Sequence, residues 1–137
     1  SDNVFMRIET AYLIAAEAAY REGNYTLAAD YLTRITDERV KKGQEAAYAT
    51  YKTTLSDSKV LSEAIRYNWR VELWGEGYGL QTFRRWGETV ELGENHLRSN
   101  KTLVPATDIV FTFVIPSSET NYNPYIRSTT EMATKQN

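Results

Sequence analysis

Two apolar stripes at helical spacing, joined by a Gly-Asn turn, open the chain and limit its fold to packed helices. Phe5, Ile8, Tyr12, Ala15, Ala16 and Ala19 recur at steps of three and four residues, which gathers them on one helix face. Asp2 or Asn3 is placed to cap the start, and Gly23-Asn24 supplies residues that tolerate left-handed backbone at the end. Leu27, Ala28, Tyr31, Leu32 and Ile35 mark the face of a second helix, with Asp30 and Arg34 spaced as an i,i+4 pair and Gly43 as a stop. Residues 5–42 are thus predicted to form an antiparallel helical hairpin.

The alanines at 15, 16, 19, 28 and 29 let two helix backbones approach closely. Around them, Ala19-Tyr20-Arg21-Glu22-Gly23-Asn24-Tyr25 and Ala28 resemble one tetratricopeptide repeat, with Tyr12 where such a repeat usually has Trp. No second copy follows at that period, and one repeat cannot bury its own face.

Beyond the hairpin, residues 44–57 are polar and only weakly periodic, and read as a loop with at most a helical turn. From Ser58 the signal returns: Val60, Ala64, Tyr67, Val71 and Trp74 form one helical row and Leu61, Ile65, Trp69 and Leu73 the next, so residues 58–74 are predicted to be a largely buried helix. Gly75, Gly77 and Gly79 interrupt it, and a short helix is expected to end at Gly87. Residues 88–106 read as irregular. Ile109, Phe111, Phe113 and Ile115 alternate with their neighbours as an extended segment up to Pro116, within loops reaching residue 127, and 128–137 is a polar tail. The expected class is mainly α, one helical domain with one short extended segment.

Composition removes several chemistries. The chain has 42% hydrophobic and 25% charged residues and a net charge of −2, the balance of an ordinary folded domain without the basic patch that nucleic-acid binding needs. Zero Cys excludes thiolate zinc sites, and the single His excludes His-rich metal clusters. The longest apolar run, Ala11 to Ala16, is far short of the ~18 residues that span a bilayer. The start at Ser1 lacks a leader-like segment, so any targeting segment is expected upstream or already removed.

One block carries a family signature. Arg70-Val71-Glu72-Leu73-Trp74-Gly75-Glu76-Gly77-Tyr78 followed by Phe83-Arg84-Arg85-Trp86-Gly87 resembles the C-terminal motif of the SusD/RagB family, with Glu72, Leu73, Glu76, Gly77, Arg85, Trp86 and Gly87 matching in order and spacing. Tyr12 to Ala18 is similar to the family's Tyr-Leu-Ile-Ala-Ala-Glu-Ala string, and Ile115-Pro116-Ser117-Ser118-Glu119 with Asn123-Pro124 to its ending. The chain departs from the pattern at Tyr78-Gly79, Thr82 and Asn68-Trp69. The resemblance implies the C-terminal portion of a surface lipoprotein on the outer membrane of a Bacteroidetes-type bacterium, its lipid-bearing Cys lying upstream. Such a protein captures glycans or other nutrients and passes them to a SusC-like TonB-dependent transporter, without catalysis. A tetratricopeptide-type protein-interaction module is the alternative reading, and a glycosidase the third.

For that third reading, Glu72 and Glu76 stand four apart on one helix face, the raw material of acid–base catalysis. A buried-edge carboxylate needs a cation, however, so Arg70, Glu72, Glu76 and Arg85 are read as a structural polar network, with Arg66 and Arg84 also near in sequence. No catalytic, cofactor-binding or metal-binding residue is assigned. His96 stands in a Gly- and Asn-containing loop without a motif, and the sequons at Asn24 and Asn100 are read as chance matches. Of the aromatics, Tyr12, Tyr25, Tyr31, Tyr67, Trp69 and Trp74 fall on rows expected to face the core. Trp86, Tyr122 and Tyr125 are left as candidates for stacking on sugar rings.

Overall fold

The computed structural model describes residues 6–91 and 103–108. Along them run helices α1 (Ile8–Arg21), α2 (Tyr25–Thr36), α3 (Glu45–Thr54), α4 (Ser58–Val71) and α5 (Gly79–Trp86), with a 3-10 turn at Asp37–Arg39 after α2. Two short strands, β1 (Thr89–Glu91) and β2 (Leu103–Pro105), complete the described elements, so the protein is mainly α. The chain packs as two compact units, the first ending at Thr82 and the second beginning at Phe83.

In the first unit α1 and α2 form the expected hairpin. Leu13, Ala16, Ala28 and Leu32 are fully buried between them and Ile35 nearly so, and the small residues at 16, 19 and 28 are what permits this close packing. The turn is a Schellman arrangement: Asn24 N–H donates to the carbonyl of Ala19 (2.9 Å) and Gly23 N–H to that of Tyr20 (3.0 Å). It requires Gly23 at φ 80°, a backbone that a Cβ would strain. Asn24 then caps α2 by accepting from the N–H of Leu27 (3.2 Å). Helix α1 starts at Ile8, with Arg7 as its extended N-cap residue, without a side-chain cap bond, and Phe5 lies outside the described residues. Asp2 and Asn3 lie outside the described residues. Arg34, expected to pair with Asp30, places its guanidinium 5.6 Å from the Tyr12 ring centre and 5.9 Å from that of Tyr31.

Helix α4 is capped by Asp57, whose carboxylate accepts from the N–H groups of Lys59 (2.8 Å) and Val60 (3.1 Å). It lays Leu61, Ile65 and Trp69 against α1 and α2. The expectation of a largely buried helix over 58–74 is corrected in two respects. The helix ends at Val71, and its second apolar row is open beyond the buried Ala64: Tyr67 is 57% exposed, Val71 53% and Trp74 85%. Only one side of α4 meets the hairpin, and Trp74 falls in the turn beyond the helix end, which continues through Gly75 at φ 78°. Tyr25, also expected to face the core, is 42% exposed at the first position of α2.

The loop expected over 44–57 is instead helical, as α3. Its apolar pattern is weak because it buries none of its residues, so periodicity had little to report. Ala46, Ala47 and Ala49 favour the helix intrinsically, and Thr50, Thr53 and Thr54 return their hydroxyls to carbonyls of the preceding turn at 3.2, 2.7 and 2.7 Å. Just past its end, Leu55 is 2% exposed and anchors it.

In the second unit, β1 and β2 pair antiparallel with Val90 opposite Val104, where an irregular stretch had been expected over 88–106. Three-residue strands are too short to show a period in sequence. The extended segment at 109–115, the tail at 128–137, His96 and Asn100 lie outside the described residues.

Candidate functional site

Within the first unit, α3 stands off from α4 and leaves a groove of about 720 Å³, with the end of α2 and the 3-10 turn completing its lining. This is within the ~300–1,000 Å³ range of small-molecule sites. Ala47, Tyr48 and Tyr51 form the α3 wall, spaced to share one helix face; Val60, Ala64, Tyr67 and Val71 form the α4 wall. The lining is mostly apolar, with Thr36, Arg39, Gln44, Glu63, Asn68 and Glu72 as its polar members beside the tyrosine hydroxyls.

The α3 wall is held by polar tethers rather than by burial. Tyr48 and Thr36 share a hydroxyl–hydroxyl bond of 2.6 Å, and Lys52 reaches the Asp37 carboxylate at 3.1 Å. The Tyr48 hydroxyl also faces Asp37 and, together with Lys52, holds that carboxyl below the usual range. Burial first, and then the Asp37 charge, push Tyr48 up to about 12. Its ring stacks on that of Tyr51 with centres 6.0 Å apart. Tyr51 is likewise raised, by burial and by the neighbouring Tyr67, so residues from both walls approach one another.

One end of the groove runs into a cluster of five charges. Arg39 clamps Glu72 from two nitrogens, at 2.7 and 3.0 Å, and Arg7 joins the same carboxylate. Arg7 also donates to Glu76 (2.7 Å), to the Glu72 carbonyl (3.1 Å) and to Glu9 (3.3 Å), while Arg39 reaches Glu9 at 3.0 Å. The Glu72 side chain is only 11% exposed, yet Arg39 and then Arg7 hold it below the usual carboxylate range, outweighing the burial that would raise it. Glu9 is lowered by its own backbone N–H and by Arg7.

Glu72 and Glu76 therefore do meet cations, but Arg7 and Arg39 lie 65 and 33 residues from Glu72 in sequence. Sequence reasoning missed Arg7, Glu9 and Arg39, since nothing local marks residues brought together by hairpin packing. Arg70 and Arg85 are exposed on α4 and α5. Among the stacking candidates, Trp86 is half-buried at the end of α5, whereas Tyr122 and Tyr125 lie outside the described residues. The groove tyrosines 48 and 51 were hidden in the stretch read as loop, and only the weak pairing of Ala47 and Tyr48 with Tyr51 pointed to them. Asn24 serves as a helix cap. Among the described residues, no three acidic or histidine side chains gather as a metal site, and no helix is long and apolar enough to cross a membrane.

Comparison with known proteins returns no matching curated protein and no matching solved structure. Comparison with protein families matches the SusD family over residues 1–137, in agreement with the motif from Arg70 to Gly87 and with the mainly helical fold. The chain belongs to the SusD family, whose membership implies a glycan-binding protein of nutrient uptake.

Proposed function

We propose that this chain is the C-terminal helical part of a lipid-anchored protein on the outer-membrane surface, which captures oligosaccharides and passes them to a SusC-like TonB-dependent transporter without altering them. The family match along the entire chain carries this reading. The site chemistry supports the absence of catalysis. Sugar hydrolysis needs one carboxyl kept protonated near neutral pH, whereas Glu72 is driven the other way by two guanidinium groups and shares one of them with Glu76.

The test is made in cells producing the protein with an affinity tag. Surface protease should remove the tag from intact cells, and chemical crosslinking should recover a TonB-dependent transporter with it. Deletion of the gene should abolish uptake of a fluorescent oligosaccharide. A protease-shielded protein, or uptake unaffected by deletion, refutes the reading.

A further inference from the structure

We propose that the outer face of α1 is a helix-docking surface, covered in the parent protein by an amphipathic helix of the polypeptide that precedes Ser1. The inference rests on the reading of this chain as the C-terminal part of a longer protein, and adds to it where the preceding part packs and what it presents there.

Ile8, Ala11, Ile14, Ala15 and Ala18 share one side of α1, at helical steps of three and four residues. This side is turned away from Leu13 and Ala16, which are fully buried against the rest of the unit, and it is open: Ile8 is 61% exposed and Ile14 52%. No charged residue stands on it from Ile8 to Ala18. The two carboxylates of α1 are used elsewhere. Glu9 accepts from Arg7 and Arg39, and Glu17, itself 5% exposed, accepts from Arg21 at 3.0 Å. The helices that pack on α1 are different, because their exposed positions carry charge: Asp30 and Arg34 on α2, Lys59 and Glu63 on α4. A helix that is apolar all round belongs to an interior, and α1 has that character on its open side as well as on its buried one.

The shape of the face selects the occupant. Alanines at 11, 15 and 18 have almost no side chain to hold a second backbone away, so a helix can approach to the short end of the ~8–10 Å interaxial range. Large apolar side chains of that helix would lie over the alanines and between Ile8 and Ile14. Size then decides between a free and a tethered partner. With 14 residues α1 is about 21 Å long, so a strip one helix wide offers on the order of 200–300 Å², well below the ~800 Å² that each partner of a stable complex buries. A covalently linked helix needs no such area, because its effective concentration is already high. The hairpin also resembles one unit of a helical repeat, and such units complete their core by stacking on a neighbour; α4 supplies a neighbour on one side, and the outer face of α1 is left for another.

The test compares the 137-residue chain with the parent gene product made without a lipid anchor and with its own cysteines replaced by serine. Because the chain has no Cys, a thiol introduced as Ile14→Cys or Ala18→Cys reports on this face through its rate of maleimide labelling. In the parent protein both should label at least about tenfold more slowly than Asp30→Cys on α2, whereas in the 137-residue chain all three should label alike. Ile14→Lys should lower the melting temperature of the parent protein by roughly 5 °C or more, through burial of an unpaired charge, and leave that of the 137-residue chain unchanged. Labelling of Ile14→Cys as fast as Asp30→Cys in the parent protein overturns the assignment. Slow labelling in the 137-residue chain that quickens on dilution assigns the face to a second copy and equally overturns it. Either result leaves the capture reading to its own protease and uptake tests, whereas a gene product that begins at Ser1 overturns this proposal and the C-terminal reading together.

Discussion

Replacing Tyr48 by Phe should loosen α3 without unfolding the rest of the first unit. The substitution keeps the ring, and so its stacking on Tyr51, but removes the hydroxyl that bonds Thr36 at 2.6 Å and faces Asp37. A neutral hydrogen bond contributes about 0.5–1.5 kcal/mol. The Asp37 interaction adds only ~0–1 kcal/mol because that carboxylate is half exposed and screened. The sum, about 1–2 kcal/mol, falls on a helix that buries none of its own residues, so it should appear as local opening rather than global unfolding. Amide hydrogen exchange over 47–54 should quicken by about 5- to 30-fold, with the amides of Leu13, Leu32 and Ile65 unchanged.

The pH dependence has a determined sign. Tyr48 is raised in the folded state to about 12, so its contribution is complete below the unfolded value near ~10 and is lost as pH rises through about 12. In Tyr48→Phe the opening of α3 should lose the part of its alkaline dependence owed to Tyr48, while the part owed to Tyr51, which is also raised, remains. Uniform acceleration across α1, α2 and α4 would refute a separately tethered α3, and unchanged exchange in α3 would refute the hydroxyl as its tether.

Glu72→Gln should lower stability by about 1–3 kcal/mol, towards the low end because Arg7 and Arg39 reach solvent, as measured by urea unfolding at neutral pH. Because the folded carboxyl of Glu72 is lowered, its contribution is present above the unfolded value and is lost as pH falls through the folded one; the variant's deficit should therefore vanish in acid. Leu32→Ala, at a fully buried site between the hairpin helices, should cost about 2–5 kcal/mol in the same assay. Trp74→Phe should leave stability within about 0.5 kcal/mol while removing the most red-shifted component of tryptophan emission, since this ring is 85% exposed and Trp69 is buried.

Legibility followed the strength of the local signal. The hairpin was readable because Leu13, Leu32 and Ile35 are buried on stripes that repeat every three or four residues, and because Gly23 can hold a backbone that other residues resist. The buried row Leu61, Ile65 and Trp69 was readable for the same reason. Its companion row was misassigned, since periodicity shows that Tyr67 and Val71 share a face but not whether anything covers it. Helix α3 escaped notice because hydroxyl back-bonds and tethers to Thr36 and Asp37 stabilise it, and none of these leaves an apolar rhythm.

By itself, the sequence determined the mainly helical class, the hairpin and its turn, the family motif around Glu72 and Glu76, and the exclusion of cysteine and His-cluster chemistry. These depend on residue type and on short-range spacing, which the chain carries in one dimension. Tertiary structure alone decided that Glu72 belongs to Arg7 and Arg39, and that Tyr48, Tyr51 and Tyr67 share one groove. Ion pairs and grooves join residues tens of positions apart, and their partners are chosen by how helices pack.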